Sequence, residues 1–299
     1  MEGLVLKSTG SNHKISTEKG ILECKLGGRF RLEELKHTNP ISVGDRVLIS
    51  EGEGNIIIDL LPRKNYLIRK ATNLSKQTHI VAANIDQLII LASYKLPRTS
   101  TGFIDRVLAT AEAYTIPATI VYNKTDLLNE KEIKEVQFYI NTYDALGYTA
   151  IGVSAEDADS VEVLKQLVKG KTNLFTGHSG VGKSTLVNKI DPTLTLRTGV
   201  ISDKFNKGKH TTTFAEMLPL SIGGYVIDTP GIKEFGMVRM DKHEVTDYFT
   251  EFFELKDQCK FNNCLHLNEP DCAVIRAVEE GKIAQFRFNN YLNILDTLE

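Results

Sequence analysis

A glycine-rich segment, residues 177–184, constrains the fold of this 299-residue chain more than any other feature. It has the pattern G-x-x-x-x-G-K-S. It follows a short apolar run at residues 174–176, which favours a buried strand, and precedes residues 185–190, which favour a helix. A strand, a glycine-rich turn and a helix in this order form the phosphate-binding loop of α/β nucleotide-binding domains. We therefore predict an α/β domain around this loop.

The residue types in the loop suit phosphate binding. Glycines let backbone N–H groups converge on phosphates without Cβ clashes, and the helix N-terminus adds its positive dipole end. We expect Lys183 to reach the outer phosphates and Ser184 to bind Mg²⁺. The alternative, a turn that binds nothing, is disfavoured by the complete pattern in its strand–loop–helix setting. The candidate contacts are Gly177, His178, Ser179, Gly180, Val181, Gly182, Lys183, Ser184 and Thr185.

A second phosphate and metal element follows the apolar residues 225–227. Asp228 stands at the carboxyl end of this predicted strand, where a carboxylate can hold the Mg²⁺ shell. Gly231 can place its N–H on the terminal phosphate. Alone, such a segment is a common turn, but downstream of a phosphate loop it is the expected partner element.

A base-reading motif, Asn123-Lys124-Thr125-Asp126, follows the apolar residues 118–122 and resembles the guanine-specificity motif of the GTPase superfamily. Asp126 can accept hydrogen bonds from N1–H and the exocyclic amine of guanine, whereas adenine would leave this carboxylate unpaired. We expect Lys124 to stack on the base and Asn123 to tie loops together. Ser154 and Ala155 look like the companion motif, which touches the guanine oxygen through a backbone N–H.

These motifs occur in a permuted order. In most GTPases base reading comes after the phosphate loop, whereas here residues 123–126 and 153–155 precede residues 177–184. A parallel sheet tolerates this order when the original termini are close and the cut falls in a loop. The segment after Asp228 then leads directly into the C-terminal region, so a nucleotide-dependent movement could be transmitted there.

Periodicity predicts three parts. Residues 1–65 contain short β-branched runs broken by Gly and Asn, which indicate an all-β barrel of about five strands. In residues 66–234 buried strands alternate with helices, which indicates a parallel α/β sheet. Residues 103–114 are predicted to form one of these helices, with Asp105, Arg106 and Glu112 outside. Residues 235–299 are predicted to be mostly helical.

The C-terminal part contains three cysteines and a histidine in a short span: Cys259, Cys264, His266 and Cys272. Three thiolates and one imidazole suit a closed tetrahedral structural Zn²⁺ site. In a reducing compartment such a cluster favours a metal site over disulfide bonds. Unligated thiols are the alternative. Cys24 stands apart and is predicted to be a core residue.

Composition excludes few function classes. A net charge of −2, with 41% apolar and 25% charged residues, is ordinary for a globular protein. The sequence has no apolar run long enough to predict a membrane span, and its N-terminus lacks a signal-peptide pattern. A cytoplasmic protein is therefore expected. Two local basic stretches, residues 63–76 and 197–210, are either solvated faces or contacts for an anionic partner.

Taken together, the chain resembles the RsgA/YjeQ family of small-ribosomal-subunit-dependent GTPases. The resemblance covers nearly the whole chain and rests on the barrel, the permuted motifs, residues 208–213 (G-K-H-T-T-T) and the residues around the cysteines. It implies an OB-fold barrel, a circularly permuted GTPase domain and a zinc domain. It also implies GTP and GDP as ligands, binding to the small ribosomal subunit late in its assembly, and hydrolysis stimulated by that subunit.

Such a partner gives the first basic stretch a meaning, because OB-folds bind nucleic acid with basic and aromatic residues. We expect a monomer, and contacts to rRNA phosphates from Arg63, Lys64, Arg69, Lys70 and Lys76.

Ile232 occupies the position where many GTPases have a water-orienting Gln. An isoleucine cannot orient water, so slow intrinsic turnover is expected. His210 is the candidate for positioning the water, with a role in RNA or solvent contact as the alternative. One of the neighbouring threonines Thr211, Thr212 and Thr213 is expected to complete the Mg²⁺ shell.

Two other functions remain open. One is an RNA-binding scaffold in which the nucleotide is a structural ligand, which Ile232 favours and the intact Lys183, Ser184 and Asp228 set disfavours. The other is a GTPase of another ribosomal or tRNA pathway.

Overall fold

The computed structural model describes residues 1–10, 12–28, 30, 40–50, 54–70, 78–194, 196, 215–228 and 240–298. Its strands are β1 (Glu2–Ser8), β2 (His13–Thr17), β3 (Gly20–Leu26), β4 (Arg46–Ile49), β5 (Ile56–Leu60), β6 (Tyr66–Lys70), β7 (Thr78–Ala83), β8 (Gln87–Ala92), β9 (Ala118–Tyr122), β10 (Thr149–Gly152), β11 (Thr172–Thr176), β12 (Glu216–Pro219) and β13 (Tyr225–Asp228). Its α-helices are α1 (Thr101–Ala113), α2 (Glu130–Ala145), α3 (Ala158–Val168), α4 (Lys183–Ile190), α5 (Thr250–Phe253), α6 (Ala273–Glu279) and α7 (Gln285–Leu295).

The first five strands close into a barrel. β1 pairs with both β2 and β4, β2 with β3, β3 with β5, and β5 with β4. Alternate residues such as Val5, Ile15, Val47 and Ile57 are fully buried and fill the interior. This inward alternation follows from the two-residue period of a strand. The predicted all-β barrel of about five strands is confirmed.

A parallel sheet with helices on both faces follows the barrel. β10, β9, β8, β11 and β13 lie side by side in this order, all parallel, and β12 is antiparallel to β13. In β8, Leu88 and Ile90 pack with α1 and α2, whereas Ile89 and Leu91 pack with α3 and α4. Because both faces are covered, the strand is apolar from Leu88 to Ala92. The predicted α/β domain is confirmed.

The barrel and the α/β sheet are continuous. β1 pairs antiparallel with β12, so that one eleven-stranded sheet runs from β10 to the barrel strands. A second contact is made by the turn before β4. There Ala83 N donates to Val43 O at 2.8 Å, and a Cβ on Gly44, at φ +87°, would lie 2.1 Å from Ala83 O. Only glycine permits this close approach.

The C-terminal helices pack on α1, and this packing corrects one prediction. Asp105 was expected on the outer face of its helix, but it is 0% exposed. Arg287 Nη1 on α7 donates to Asp105 Oδ1 at 2.7 Å, and Asn290 Nδ2 donates to Asp105 Oδ2 at 2.6 Å. A buried carboxylate is tolerated when such partners compensate its lost hydration. Asp105 therefore links α1 of the α/β domain to the C-terminal helix α7.

The rest of this buried network lies around Arg287. Its guanidinium also donates to both Glu251 oxygens, at 2.7 and 2.9 Å, and lies 4.4 Å from the ring centroid of Phe249. Burial lowers the pKa of Arg287, but the carboxylates of Asp105 and Glu251 outweigh this effect and raise the pKa above its ordinary value. Arg287 is therefore charged at every physiological pH.

No helix among the described residues is long and apolar enough to cross a membrane.

Candidate nucleotide site and metal cluster

The phosphate loop lies between β11 and α4, as its sequence pattern predicts. Gly177 and Gly182 have φ values of +150° and +102°, which are costly for other residues. A Cβ on Gly177 would lie 2.5 Å from Leu91 O, and one on Gly182 would lie 2.3 Å from Asn123 Nδ2. These two positions therefore need glycine both for backbone conformation and for the close packing of the loop against its neighbours.

A cation and a carboxylate meet at the start of α4. Lys183 Nζ lies 3.6 Å from Asp228 Oδ1, and the two side chains are 32% and 34% exposed. The parallel pairing of β11 with β13 produces this approach, because the carboxyl ends of both strands lie at one sheet edge. Ser184 is half-buried beside Lys183. An ammonium, a hydroxyl and a carboxylate are the groups that a phosphate and its magnesium ion require, so the residues fit this ligand.

The base-reading motif is bonded directly to the phosphate loop. Asn123 Nδ2 donates to Val181 O at 2.9 Å, 58 positions along the chain. Lys124 Nζ donates to Gly180 O at 2.7 Å and to Leu96 O at 2.5 Å. The prediction that Asn123 ties loops together is consistent with these bonds. The two motifs therefore form one site despite their inverted order along the chain.

The candidate base-binding carboxylate is held from one side. Ser154 Oγ donates to Asp126 Oδ1 at 2.6 Å, and Thr125 N donates to Val153 O at 3.2 Å. Asp126 is nevertheless exposed, so that its carboxylate is accessible to a ligand, and Ala155 follows at the same edge. These contacts bring the loop after β10 against the loop after β9. The two motifs predicted to recognise one guanine are thus adjacent.

Two neighbours of the loop were not predicted. The ring of Phe103, near the start of α1, lies 4.2 Å from the ring of His178, measured between centroids. Leu96 is 66% exposed and supplies the carbonyl that Lys124 bonds. An aromatic residue at a helix start and an apolar loop residue carry no distinctive sequence signal, so only the fold reveals these contacts.

Several predicted site residues lie outside the described residues, and their roles stay predictions. They are Lys76, His210, Thr211, Thr212, Thr213, Gly231 and Ile232.

The first basic stretch is less open than its sequence indicates. The Arg63 guanidinium donates to both oxygens of Asp45 at 2.7 Å and to Pro40 O at 3.0 Å, and Asp45 is 0% exposed. Lys64 Nζ lies 2.5 Å from Asp86 Oδ1 on the surface. Arg63 therefore stabilises the turn before β4 through these bonds. Arg69 and Lys70 lie on β6, which pairs with β7, and RNA binding by this stretch stays a prediction.

The cysteine and histidine residues form a compact cluster. The ligand atoms of Cys259, Cys264, His266 and Cys272 all lie within 4.8 Å of one another. His266 is 0% exposed, and its Nδ1 lies 3.2 Å from Cys272 Sγ and 3.7 Å from Cys259 Sγ. Three sulfurs and one imidazole nitrogen at this spacing fit a tetrahedral zinc ion. The Cys272 sulfur also accepts from Ile275 N at the start of α6.

Local hydrogen bonds shape the loop that carries these ligands. Glu269 accepts from Leu265 N at 2.8 Å and from Leu267 N at 2.7 Å, which holds His266 between them. Burial raises the pKa of the Cys264 thiol to about 12. Without a cation the thiol is therefore protonated, and a metal ion would supply the charge that stabilises its thiolate.

Sequence comparison identifies the family. The RsgA GTPase family matches residues 60–238, and the RsgA N-terminal domain family matches residues 2–56. The chain belongs to the RsgA GTPase family. The predicted resemblance is therefore confirmed, and so is the expectation of a GTPase at the level of the family.

Curated RsgA proteins match over the full length. Those of Flavobacterium johnsoniae and Phocaeicola vulgatus are 50% and 51% identical to this chain, and each is named small ribosomal subunit biogenesis GTPase RsgA. The matches cover 99% and 100% of this chain, and 93% and 97% of the respective relatives.

Solved structures agree with this RsgA assignment. YjeQ from Thermotoga maritima has a TM-score of 0.82 at 36% identity, with 99% of this chain and 98% of that chain covered. YloQ, described as a circularly permuted GTPase, has a TM-score of 0.77 at 29% identity, with 99% and 93% covered. The permuted motif order predicted from the sequence thus agrees with the description of this neighbour.

Proposed function

We propose that this chain hydrolyses GTP to GDP and phosphate and that it acts in the biogenesis of the small ribosomal subunit. The observation that carries the proposal is the bonding of the base-reading motif to the phosphate loop, through Asn123 to Val181 and Lys124 to Gly180. Together with family membership, this arrangement favours a guanine nucleotide over the adenine nucleotides that other phosphate-loop proteins bind. The small ribosomal subunit is proposed as the partner because the curated relatives are named for its biogenesis.

Each residue of the site has a defined task in this proposal. Asp126 pairs with the guanine, and the backbone N–H of Ala155 faces its oxygen. The backbone of residues 177–185 surrounds the phosphates and Lys183 neutralises them. Ser184 and Asp228 would hold Mg²⁺, which supplies charge neutralisation at the phosphates when bound.

The hydrolytic step depends on residues 208–213 and on the segment that follows Asp228. His210 positions the attacking water, and the Gly231 N–H contacts the terminal phosphate. One of Thr211, Thr212 and Thr213 completes the magnesium shell. Ile232 cannot replace a water-orienting Gln, so the small subunit must supply or order part of the machinery. A His210→Ala chain whose subunit-stimulated turnover is unchanged would contradict the role given to His210.

Further parts of the proposal concern the other two regions. Residues 1–65 form an RNA-binding OB-fold, 66–234 the GTPase domain, and 235–299 a zinc domain held by one structural Zn²⁺. Arg69, Lys70 and Lys76 contact rRNA, with Lys64 and Arg63 beside them. The chain acts as a monomer in the cytoplasm, where ribosomal subunits are assembled.

The test is phosphate release from GTP, measured alone, with isolated small subunits and with isolated large subunits. Slow intrinsic release and at least tenfold stimulation by small subunits only are expected. Negligible release in all three conditions, with GDP bound, would favour the RNA-binding scaffold. Stimulation by large subunits, or co-sedimentation with them, would favour a GTPase of another pathway.

A further inference from the structure

A row of charged side chains crosses the sheet from the barrel to the phosphate loop. Lys7 on β1 lies opposite Glu216 on β12, and Glu216 lies opposite Asp228 on β13. Directly opposite residues of antiparallel strands project from the same face, with Cβ atoms about 4.5–5.5 Å apart. Lys183 lies beyond Asp228 and completes the row. The order of charges is therefore positive, negative, negative, positive.

A β-bulge in β1 aims Lys7 at this row. Between Val5 and Lys7, β1 advances two residues while its partner β2 advances one, from Ile15 to Lys14. Val5 packs into the barrel core and Leu6 into the core of the α/β domain. A bulge re-aims the side chains that follow it. The extra residue is thus the point where β1 leaves the barrel and joins the sheet of the nucleotide site.

The two lysines flank two adjacent carboxylates, which repel each other. Lys7 Nζ lies 2.8 Å from Glu216 Oε2, and Lys183 Nζ lies 3.6 Å from Asp228 Oδ1. Like charges directly opposite each other destabilise a strand pair. The Lys7 side chain is only 23% exposed, so solvent screens its pair with Glu216 incompletely. Lys7 is therefore well placed to hold the Glu216 carboxylate on the barrel side.

We propose that Lys7 is a positioning residue for the nucleotide site, acting through Glu216. The inference rests on the proposed function, in which Lys183 binds the phosphates and Asp228 faces magnesium. Without Lys7, the Glu216 carboxylate competes with the phosphates for Lys183 and adds a negative charge beside a polyanionic ligand. The barrel thus sets part of the electrostatic potential at a site that lies in another domain.

The test measures the dissociation constant of methylanthraniloyl-GDP with Mg²⁺, by fluorescence titration of the full chain. Lys7→Met is expected to weaken binding about two- to fivefold, the range of a partly exposed ion pair. Lys7→Arg retains the wild-type affinity, and adding Glu216→Gln to Lys7→Met restores it. The matched control is Arg46→Met, which breaks the exposed Glu2–Arg46 pair of 3.0 Å at the other end of β1 and leaves the affinity unchanged.

Two results would overturn the inference while leaving the proposed function intact. One is a wild-type affinity in Lys7→Met. The other is a loss that persists after Glu216→Gln is added, which would mean that Lys7 acts through docking of the barrel. A wild-type chain that binds no guanine nucleotide would instead overturn the proposed function, and this inference with it.

Discussion

Among single residues, Asp126 is the proposed determinant of base specificity, and Gly182 determines how closely the phosphate loop packs against the base-reading motif. Asp126 is exposed and oriented by Ser154, so its carboxylate is available to donors of a base. Gly182 is packed against the Asn123 amide, which in turn binds Val181. Asp126 is thus the residue proposed to recognise the base, while Gly182 allows the base-reading motif and the phosphate loop to approach each other.

Asp126→Asn should shift the base preference of the site from guanine towards xanthine. The amide cannot accept from both guanine donors, and its own N–H can donate to the oxygen that xanthine carries instead of the amine. Affinity for GDP should fall roughly a hundredfold, as expected for lost hydrogen bonds to a charged group, and xanthosine diphosphate should bind better than to the wild type. Competition titrations measure both. Asp159→Asn, at an exposed position of α3, is the control, and unchanged GDP affinity in Asp126→Asn would contradict the assignment.

Gly182→Ala should abolish nucleotide binding without unfolding the chain. The added Cβ would lie 2.3 Å from Asn123 Nδ2 at a φ of +102°, so the loop and the base-reading motif must separate. Gly147→Ala provides the control, because Gly147 also has positive φ, +88°, but no atom lies within 4 Å of its added Cβ. Both variants should show backbone strain in thermal unfolding, and loss of GDP binding in both would show that strain alone is responsible.

At the scale of elements, the C-terminal helices depend on the cysteine cluster. Cys272 both faces the cluster and caps α6, and it packs in the same core as Phe252 and Tyr291. In small metal-stabilised segments much of the folding free energy comes from the metal. The loop that Glu269 organises is too short to bury a core by itself.

Chelation of the proposed zinc should destabilise this segment. We expect a strong chelator to lower the melting temperature by roughly 5–10 °C, since the four ligands lose their common partner. Elemental analysis should give one zinc per chain in the wild type and less in Cys264→Ser. The chelator should then have little further effect on that variant. A wild-type chain that contains no zinc and is insensitive to chelation would contradict the zinc site.

At the scale of the whole molecule, buried charges and one continuous sheet join the three parts. Arg287 of α7 bonds Asp105 of α1, and β1 of the barrel pairs with β12 of the α/β sheet. Burial raises the pKa of the Asp105 carboxyl, and bonds from Arg287, Asn290 and Tyr143 limit that rise because they favour its charged form. Removing one member would leave another charge buried without compensation.

Asp105→Asn should therefore destabilise the chain by about 3 kcal/mol, as expected when one partner of a buried ion pair is lost. The urea midpoint of unfolding measures the effect. Glu280→Gln, which breaks the surface pair with Lys282, is the control and should change stability by less than about 0.5 kcal/mol. Equal effects of the two variants would show that the buried network does not hold the C-terminal helices on α1.

Patterns along the chain are sufficient to predict the local chemistry of this protein. The phosphate loop, the base-reading motif and the cysteine cluster are contiguous patterns, and barrel strands and α/β elements follow from periodicities of two and 3.6 residues. Their permuted order and their family could be read from the same patterns. The predictions of the barrel, the α/β domain and the family were confirmed, because each depends on residues that are close along the chain.

Which polar side chains are buried and paired depends on contacts between distant segments and is visible only in the folded chain. Asp105 was predicted outside because a helix pattern does not show that Arg287, 182 positions away, compensates a buried charge. The sequence does not show that Arg63 differs from a solvent-exposed basic residue, because its partner Asp45 is brought to it only by the fold. Lys7 lies opposite Glu216, 209 positions away, directly after a bulge that shifts the register of β1 against β2 by one residue. Register and long-range charge pairing depend on packing between distant segments, and no local pattern records them.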